Sequence, residues 1–355
     1  MLEMTTAAPN ASQNALPPRV TTTLDFNRQG KQFGHLRIPH SHNASAWGTI
    51  LEPIVVIANG HGPTVLFTGG NHGDEYEGQI ALLKLCRALD PAQISGRLIV
   101  IPCLNLPAVW AGTRLSPIDG LNMNRVFPGR REGTVTELIA HYVSQRILPL
   151  TDAVVDLHSG GKTLEFLPAA IIHRVSNADL MSRSLAALNA FAAPIGLVLV
   201  ELDSAGMLDT TVENMGKLFI STELGGGGTV TRETVAIAER GVRNLLEHFG
   251  MFEERKSNEV RPSTRLMHTP DNTSYVTANA HGIYEILVGL GHDVGAGDAV
   301  GQIHLFEQPE LPPVVQYAGR SGTVVCRHVP GLVQRGDCVA VIAADMLAGR
   351  GTRSA

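Results

Sequence analysis

The sequence is poor in lysine, in charge and in long apolar runs, and each shortage argues against a class of protein. Only 5 of the 28 basic residues are lysines, and the formal net charge is −5. A nucleic-acid surface needs clustered basic residues that displace phosphate counterions, so we expect no nucleic-acid binding. No apolar stretch approaches the ~18–20 residues of a membrane span, so we expect no membrane segment either.

Cysteine is also scarce, and the sequence contains no C-x-x-C pair. The cysteines stand among apolar neighbours, where a free thiol acts as a small hydrophobic side chain; they are Cys86, Cys103, Cys326 and Cys338. Residues 1–20 lack the basic start and the apolar core of a signal peptide, and they show no periodicity. We therefore expect reduced thiols, a disordered tail over residues 1–20 and a cytoplasmic location.

The length of 355 residues favours two domains. In the first of them, predicted strands alternate with predicted helices. Short β-branched segments bounded by Gly, Pro or Asn predict strands at Ile54–Ala58, Thr64–Thr68, Leu98–Ile101, Ala153–Leu157, Gly196–Val200 and Leu218–Ser221. Helical periodicity appears between several of these strands, at 76–90, 134–147, 178–192 and 232–248. Residues 21–255 are therefore predicted to form an α/β domain whose mixed or mostly parallel sheet is covered by helices on both faces.

After the charged stretch Phe252–Pro262 the long helical patterns disappear, and residues 256–355 are predicted to form a C-terminal β domain. The frame V-x-x-G-D-x-V-x-x-I occurs at 294–303 and again at 333–342. Each Gly-Asp pair predicts a hairpin turn, and two such hairpins predict a small β-sandwich. The frame resembles the barrel-sandwich fold of lipoyl and biotinyl carrier domains. Because the chain has no lysine after Lys256 to be acylated, this resemblance concerns the fold only.

Polar side chains follow three of the predicted strands, at or near the point where each strand ends. Since ligands of open α/β sheets bind beyond the carboxyl ends of strands, we expect these side chains to meet. Two histidines and one carboxylate, with a fourth position left for water, form the ligand set of a catalytic zinc site. The sequence predicts one Zn²⁺ per chain bound by His72, Glu75 and His158. Glu223 would take a proton from water and return it to a leaving amine.

Five short motifs occur in the order typical of one enzyme family. They are N-H-G-D-E at 71–75, N-x-x-A at Asn105–Ala108, L-N-M-N-R at 121–125, D-L-H at 156–158 and T-E-L at 222–224. The sequence thereby resembles the succinylglutamate desuccinylase and aspartoacylase family of zinc amidohydrolases, whose catalytic domain is zinc-carboxypeptidase-like. The resemblance implies the same three zinc ligands and Glu223 as general acid/base, and it also covers the C-terminal β domain.

Two arginines are candidates for holding an N-acyl amino acid. Arg125 can bind a carboxylate through two parallel hydrogen bonds, and Asn124 would add an amide donor. The family resemblance implies that Arg114 polarises the scissile carbonyl and stabilises the oxyanion. The segment Ser116–Gly120 lengthens the stretch between Arg114 and Asn124 relative to the family pattern, which weakens the assignment of Arg114.

Two further features lie close to the predicted ligands. Asp156 could accept the free ring N–H of a ligand histidine and fix its tautomer. Because successive strand side chains alternate between faces, His72 is a better candidate partner than the nearby His158, and a role in capping a turn stays open. The run Gly225–Gly228 lacks the lysine of a phosphate loop and predicts a flexible loop on the substrate side.

Within the family, the stretches at 34–48, 113–120 and 158–168 are most similar to the N-acetyl-2,4-diaminobutyrate deacetylases of ectoine breakdown. This similarity implies a small-molecule substrate, N-α-acetyl-L-2,4-diaminobutyrate, which would be cleaved to acetate and 2,4-diaminobutyrate. Its side-chain ammonium needs an acidic partner, for which the sequence offers Glu77, Asp119, Glu165 and Glu201.

Three other functions stay open from the sequence. They are a carboxypeptidase-type metallopeptidase, a family enzyme acting on another acyl amino acid, and a binding module without catalysis. The sequence is also compatible with a homo-oligomer. If the C-terminal domain contributes side chains to the pocket, the candidates are Tyr275, Tyr284 and Tyr317.

Overall fold

The computed structural model describes residues 17–200, 203–252 and 262–346. A large mixed sheet dominates the described residues up to His268. Its strands, with one short outlying strand β6, are β1 (Gly30–Pro39), β2 (Thr49–Asn59), β3 (Thr64–Gly69), β4 (Gly96–Ile101), β5 (Ala153–His158), β6 (Leu164–Phe166), β7 (Ala169–His173), β8 (Ile195–Leu199), β9 (Leu218–Glu223) and β10 (Arg265–His268). The strand order across the sheet is β1, β2, β4, β3, β5, β9, β7, β8 and β10.

Helices cover the sheet, and the four predicted ones are confirmed. The helices are α1 (Tyr76–Ala88), α2 (Leu106–Ala111), α3 (Val135–Tyr142), α4 (Ala178–Phe191), α5 (Leu208–Asn214) and α6 (Arg232–His248). The predicted helix 134–147 comprises α3 and a following π-helical turn at Val143–Ile147. Helix α6 begins where the Thr231 hydroxyl accepts the backbone N–H of Thr234, which satisfies one donor of the first turn. The short helices α2 and α5 were not predicted.

The central strands are continuous apolar runs because both of their faces are buried. On β3, Val65 and Phe67 pack in the core beneath α1, α4 and α6, whereas Leu66 packs in the opposite core with α3. On β5, Val155 packs in the core beneath α1, α4 and α6, and Val154 packs in the opposite core. This alternation explains why these strands show no polar face, as expected for a sheet covered on both sides.

The pairing of the central strands sets the position of the site. Strand β3 runs parallel to β4 and β5, and β5 runs parallel to β9. In this register Gly69 lies opposite Leu157, and His158 lies opposite Glu223. The carboxyl ends of three neighbouring strands therefore meet at one edge. The sheet is mixed, as allowed by the sequence, because β7 runs antiparallel to β9.

The C-terminal part adds a separate antiparallel sheet and extends the large one. Its strands are β11 (Tyr275–Thr277), β12 (Gly282–Ile286), β13 (Asp293–Val294), β14 (Ala299–His304), β15 (Val314–Tyr317), β16 (Gly322–His328), β17 (Leu332–Val333) and β18 (Cys338–Asp345). The small sheet has the order β15, β14, β12, β17. The large sheet continues from β10 through β18 and β16 to β13. Side chains from both sheets, including Tyr284, Ile303 and Ile342, form one buried cluster.

The two Gly-Asp turns do not form hairpins, so this prediction was wrong. The strands β13 and β14 flank the first turn, yet β13 pairs with β16 and β14 pairs with β12 and β15. Strands β17 and β18 flank the second turn and likewise lie in different sheets. Each turn contains an equivalent hydrogen bond: Gly295 N–H donates to the Asp298 carboxylate, and Gln334 N–H donates to the Asp337 carboxylate. The repeat therefore encodes a turn that crosses between two sheets.

Several predictions concern the ends and the surface of the chain. Of the predicted tail, residues 1–16 lie outside the described residues, whereas Val20 is buried in the core beside α3. The predicted boundary between the domains falls within residues 253–261, also outside the described residues. Among the described helices, none is both long and apolar enough to cross a membrane. All four cysteines have free thiols.

Candidate metal centre

Two histidines and a glutamate meet at the carboxyl ends of β3 and β5. His72 and Glu75 lie in the turn between β3 and α1, and His158 is the last residue of β5. The carboxylate of Glu75 bridges the two rings, because its Oε1 lies 2.7 Å from His72 Nδ1 and its Oε2 lies 2.8 Å from His158 Nδ1. Ligand atoms of all three side chains lie within 4.8 Å of one another. The structure thus brings the three predicted zinc ligands together.

The outer nitrogen of each ring has its own acceptor. His158 Nε2 donates to Asp156 Oδ2 at 2.8 Å, and His72 Nε2 donates to Asn122 Oδ1 at 3.1 Å. Because a proton is needed at each Nε2, the Nδ1 lone pairs are the ones available to a metal ion. Two imidazole nitrogens and one carboxylate suit Zn²⁺, so the residues present fit the implied metal.

The electrostatics of the cluster favour a positive charge between the ligands. Burial alone would lower the pKa of His158, but the adjacent Asp156 and Glu75 carboxylates raise this pKa well above its usual value. Burial would raise the pKa of Glu75, yet the two histidines hold it well below the ordinary range. The two carboxylates therefore favour a positive charge at His158, whereas burial lowers the pKa of His72 and favours the neutral ring there.

Glu223 ends β9 beside this cluster and has a different environment. The residue as a whole is partly exposed, but its Oε2 is enclosed and has no hydrogen-bond partner among the described residues. Burial, together with the negative charge of Glu75, raises the pKa of Glu223 to about 8. A carboxyl group that exchanges its proton near neutral pH is suited to general acid/base chemistry. A cation bound by the histidines would oppose this rise, because it favours the carboxylate form.

The two predicted arginines lie at the mouth of the same cavity. Arg114 Nη1 lies 3.6 Å from Glu75 Oε1 and 3.4 Å from His72 Nδ1, with its side chain 47% exposed. Arg125 is exposed, and its Nη1 donates to its neighbour's carbonyl, Asn124 O, at 2.7 Å. The Asn124 side-chain carbonyl accepts the N–H of Leu208 at 2.9 Å, which ties the start of α5 to this segment.

These side chains line one cavity of about 190 Å³. Its walls include the two ligand histidines, both arginines, Asn124 and Glu223. Leu164 and Phe166 of β6 also line it. The volume suits a small metabolite, since pockets for drug-sized ligands usually exceed ~300 Å³. A larger groove of about 930 Å³ lies along α1 and α6 and contains none of the predicted site residues.

Comparison with known proteins assigns the chain to a family. Residues 61–249 match the succinylglutamate desuccinylase/aspartoacylase catalytic domain. An N-α-acetyl-L-2,4-diaminobutyric acid deacetylase from Halomonas elongata is 43% identical over 327 residues, covering 92% of this chain and 95% of that protein. The chain belongs to the succinylglutamate desuccinylase/aspartoacylase family.

Solved structures of other proteins have the same fold. The product-bound ectoine utilization protein EutE (DoeB) from Ruegeria pomeroyi is 44% identical, with a TM-score of 0.88 over 93% of this chain and all of that one. A succinylglutamate desuccinylase from Silicibacter sp. TM1040 is 43% identical, also with a TM-score of 0.88, over 94% of this chain and all of that one. The predicted resemblance to the succinylglutamate desuccinylase/aspartoacylase family is therefore confirmed.

One contact in this family member differs from the sequence-based expectation. Asp156 contacts His158, whereas the expected partner was His72 or a turn. Asp156 and His158 lie two residues apart on β5 and so point to the same face of the strand, which lets His158 Nε2 reach the carboxylate. The Asp156 carboxylate also accepts hydrogen bonds from Thr68 Oγ1 at 2.7 Å and from Asn71 Nδ2 at 2.9 Å. These contacts, with His158, hold the pKa of the buried Asp156 below its usual value.

Two residues of the site were missed by the sequence analysis. Asn122 is the acceptor for His72, although it lies 50 positions away along the chain. Its position inside the L-N-M-N-R motif was a signal, since only Asn124 and Arg125 of that motif were given roles. Asp209 lines the cavity from α5, a helix too short to give a periodic pattern.

Three of the four predicted acidic partners of a substrate ammonium lie elsewhere. Asp119 accepts the N–H of Thr136 and so caps α3, while Glu165 pairs with Arg327. Glu77 is buried and accepts from a threonine hydroxyl of α6. None of these three carboxylates lines the cavity among its described residues. Glu201 lies outside the described residues.

The C-terminal part shapes the pocket through its backbone. Strand β6, which carries Leu164 and Phe166 on the pocket wall, pairs antiparallel with β16. Of the three tyrosines considered from the sequence, Tyr275 donates to Val200 O at 3.1 Å, and Tyr284 is buried in the C-terminal core. Tyr317 is 58% exposed. Within the described cavity lining none of these tyrosines appears.

Proposed function

We propose that this protein is a zinc-dependent deacylase that hydrolyses the amide of N-α-acetyl-L-2,4-diaminobutyrate to acetate and 2,4-diaminobutyrate. The observation that carries the proposal is the convergence of two Nδ1 atoms and the Glu75 carboxylate beside the enclosed carboxyl group of Glu223. The substrate is supported by the 43% identity to the Halomonas elongata deacetylase over most of both chains.

His72, Glu75 and His158 would hold one Zn²⁺ per chain, with Asp156 and Asn122 orienting the rings. The chemistry that the metal supplies when bound is Lewis acidity, which polarises a carbonyl and acidifies water. Glu223 takes the proton of the attacking water and delivers it to the departing amine nitrogen. Arg114 reaches the edge of the ligand cluster and stabilises the developing oxyanion.

Substrate orientation would depend on Arg125 and Asn124, which line the pocket. Arg125 binds the α-carboxylate of the substrate, and Asn124 presents its amide group from a side chain already fixed by the N–H of Leu208. Because the cavity is small and β6 forms part of its wall, a compact acyl amino acid is favoured over a polypeptide. This supports the deacylase over the carboxypeptidase-type alternative.

Other expectations from the sequence join this proposal. The catalytic unit, residues 21–255, would be zinc-carboxypeptidase-like, and residues 256–355 would form a barrel-sandwich-like domain, supported by the shared core of the two C-terminal sheets. The four free thiols support a reducing, cytoplasmic location. A homo-oligomer stays compatible with the proposal.

The test is hydrolysis of three substrates by the purified protein, with its zinc content measured in parallel. We expect about one Zn²⁺ per chain, and faster release of product from N-α-acetyl-L-2,4-diaminobutyrate than from N-acetyl-L-aspartate or a C-terminal dipeptide. Preferred cleavage of the dipeptide would favour the peptidase. A protein that binds no zinc and cleaves none of the three would be a binding module.

A further inference from the structure

The sheet register places β6 on one side of Glu223. Strand β7 runs antiparallel to β9, and its first residue, Ala169, lies opposite Glu223, the last residue of β9. Strand β6 ends at Phe166, only three residues before Ala169, and the Phe166 N–H donates to Gly225 O at 3.0 Å. Because Gly225 comes after the end of β9, β6 lies beyond the carboxyl end of that strand.

On the other side of Glu223 the cavity lining contains polar as well as apolar side chains. Ile171 of β7 lies opposite Ser221 of β9, two residues before Glu223, and both line the cavity. His173, the next residue on the same face of β7, lines it too, and its Nδ1 lies 3.3 Å from Oε1 of Glu213 on α5. Helix α5 therefore packs against this part of the sheet.

Helix α5 connects this side of the cavity to the proposed carboxylate site. The N–H of Leu208, the first residue of α5, donates to the side-chain oxygen of Asn124 at 2.9 Å, and Arg125 is the next residue. Asp209 lines the cavity from the same helix. A substrate whose carboxylate is bound at Arg125 therefore has its amino-acid half on the α5 side of Glu223.

Strand β6 offers an apolar surface for the other half of the substrate. Leu164 and Phe166 lie two residues apart on this strand, and both line the cavity. The polar side chains of Ser159 and Thr222 also line it, but each already has a partner. The Ser159 side chain hydrogen-bonds to Glu77, and Thr222 Oγ1 donates to a backbone carbonyl of β5 at 3.0 Å. An acyl carbon chain, which has no polar group, suits the surface that β6 provides.

The run Gly225–Gly228 holds β6 in place, although the sequence predicts a flexible loop there. The carbonyl of the first glycine accepts the N–H groups of Gly160 and Phe166, both at 3.0 Å. The N–H of the third glycine donates to Leu164 O at 2.9 Å. Since this run directly follows the T-E-L motif that contains Glu223, the backbone keeps β6 close to the proposed proton carrier. Such a wall resists displacement by a longer acyl chain.

We propose that Leu164 and Phe166 bind the acyl group of the substrate and restrict it to the size of an acetyl group. The inference rests on the proposed deacylase function and names the residues that select the acyl group. Both are binding residues and take no part in the proton transfers at Glu223. Their truncation should therefore change which acyl chain is accepted, and leave the zinc content and the choice of amino acid unchanged.

The experiment compares two acyl groups on one amino acid in the holoenzyme. The substrates are N-α-acetyl-L-2,4-diaminobutyrate and N-α-butanoyl-L-2,4-diaminobutyrate. For wild type we expect a clear preference in kcat/KM for the acetyl substrate. Phe166→Ala should raise the butanoyl-to-acetyl ratio by about 10-fold or more, because one methylene group in an apolar pocket is worth roughly 10–200-fold. Leu164→Ala should change the ratio in the same direction.

Three measurements separate this effect from a general defect. The kcat/KM ratio of N-α-acetyl-L-2,4-diaminobutyrate to N-acetyl-L-2-aminobutyrate reports on the amino-acid half and should stay the same in Phe166→Ala. Phe249→Ala removes another partly buried phenylalanine, which follows α6 and packs on the core, and should leave both ratios unchanged. In a Glu223→Gln background, where turnover should be slow, calorimetry should show that Phe166→Ala improves the affinity for the butanoyl substrate relative to the acetyl substrate. If Phe166→Ala does not fold, Phe166→Val carries the same comparison.

The outcomes distinguish the two proposals. An unchanged butanoyl-to-acetyl ratio in a folded, zinc-loaded Phe166 variant would overturn the role of β6 while leaving the deacylase intact. A change only in the ratio that reports on the amino-acid half would overturn it as well, and so would a wild-type enzyme that cleaves both acyl groups equally well. Failure of the wild-type holoenzyme to cleave any of these substrates would instead overturn the proposed function.

Discussion

Replacing Asp156 by Asn tests whether the outer partner of a ligand histidine controls metal affinity. Asp156 Oδ2 accepts from His158 at 2.8 Å and from Asn71 at 2.9 Å, and Oδ1 accepts from Thr68 at 2.7 Å. An asparagine can keep its oxygen towards the first two donors and turn its amide towards the threonine hydroxyl, which can also accept. The substitution therefore removes the charge and keeps the hydrogen-bonded shape.

The expected loss of zinc affinity follows from the removal of this negative charge. Outer partners of metal-bound histidines are typically worth 10–100-fold in metal affinity. We expect Asp156→Asn to weaken Zn²⁺ binding by this factor, which corresponds to about 1.4–2.8 kcal/mol. Thr68→Val removes one hydrogen bond to the same carboxylate without changing its charge. This control should cost about 1 kcal/mol of folding stability and leave zinc affinity nearly unchanged.

The assay is a zinc titration of the metal-free protein against a chromophoric chelator, with thermal unfolding measured on the same samples. We expect Asp156→Asn to have a lower zinc affinity than wild type, and Thr68→Val to have a lower unfolding temperature than wild type. Equal zinc affinities for wild type and Asp156→Asn would refute the idea that the charge of Asp156 strengthens zinc binding. The ligand histidine would then be oriented by packing alone.

Three further changes test other parts of the site and the fold. Glu223→Gln should retain its zinc and lose ~10²–10⁴ in kcat if the residue moves protons, and near-normal turnover would mean that another group does so. Arg125→Lys should lower kcat/KM for the free-acid substrate more than for its α-amide, because an ammonium cannot replace two parallel hydrogen bonds; equal losses for both would make the arginine structural. Glu52 is fully buried without a hydrogen-bond partner among the described residues, and burial raises its pKa well above the usual value. Because the folded state keeps a proton on Glu52 that the unfolded chain releases, the contribution of Glu52 to stability should fall as the pH rises above ~4.5. Glu52→Gln should abolish that fall, so its unfolding temperature should exceed that of wild type at pH 8 by more than at pH 5; parallel profiles would contradict this.

The meeting of the three proposed metal ligands could be predicted because each lies close to the end of a strand with a clear apolar pattern. His158 and Glu223 end neighbouring parallel strands, so the sheet itself brings them opposite each other. Asn122 reaches His72 from a loop without periodicity. Such a contact depends on tertiary packing, which local sequence patterns do not encode.

The repeated Gly-Asp frame shows a similar limit in the C-terminal part. Both copies form the same local turn, in which Asp298 and Asp337 accept backbone N–H groups. The residues at each turn determine its backbone conformation. Which strands then pair is decided by partners elsewhere in the chain, such as β12 and β16. The sequence therefore predicted the turns correctly and the hairpins incorrectly.

Strand β6 has a consequence for how enzymes of this family diverge. Its partner in the sheet is β16, at Cys326–His328, whereas the family match ends at residue 249. On its other side, Gly226 approaches so closely that a Cβ there would lie 2.0 Å from Leu164 O. The wall residues of β6 thus lie in the same stretch of sequence as the proposed metal ligands, but the strand that supports them lies far away in the sequence. A change near the C-terminus can therefore shift this wall of the pocket while the proposed metal ligands stay in place.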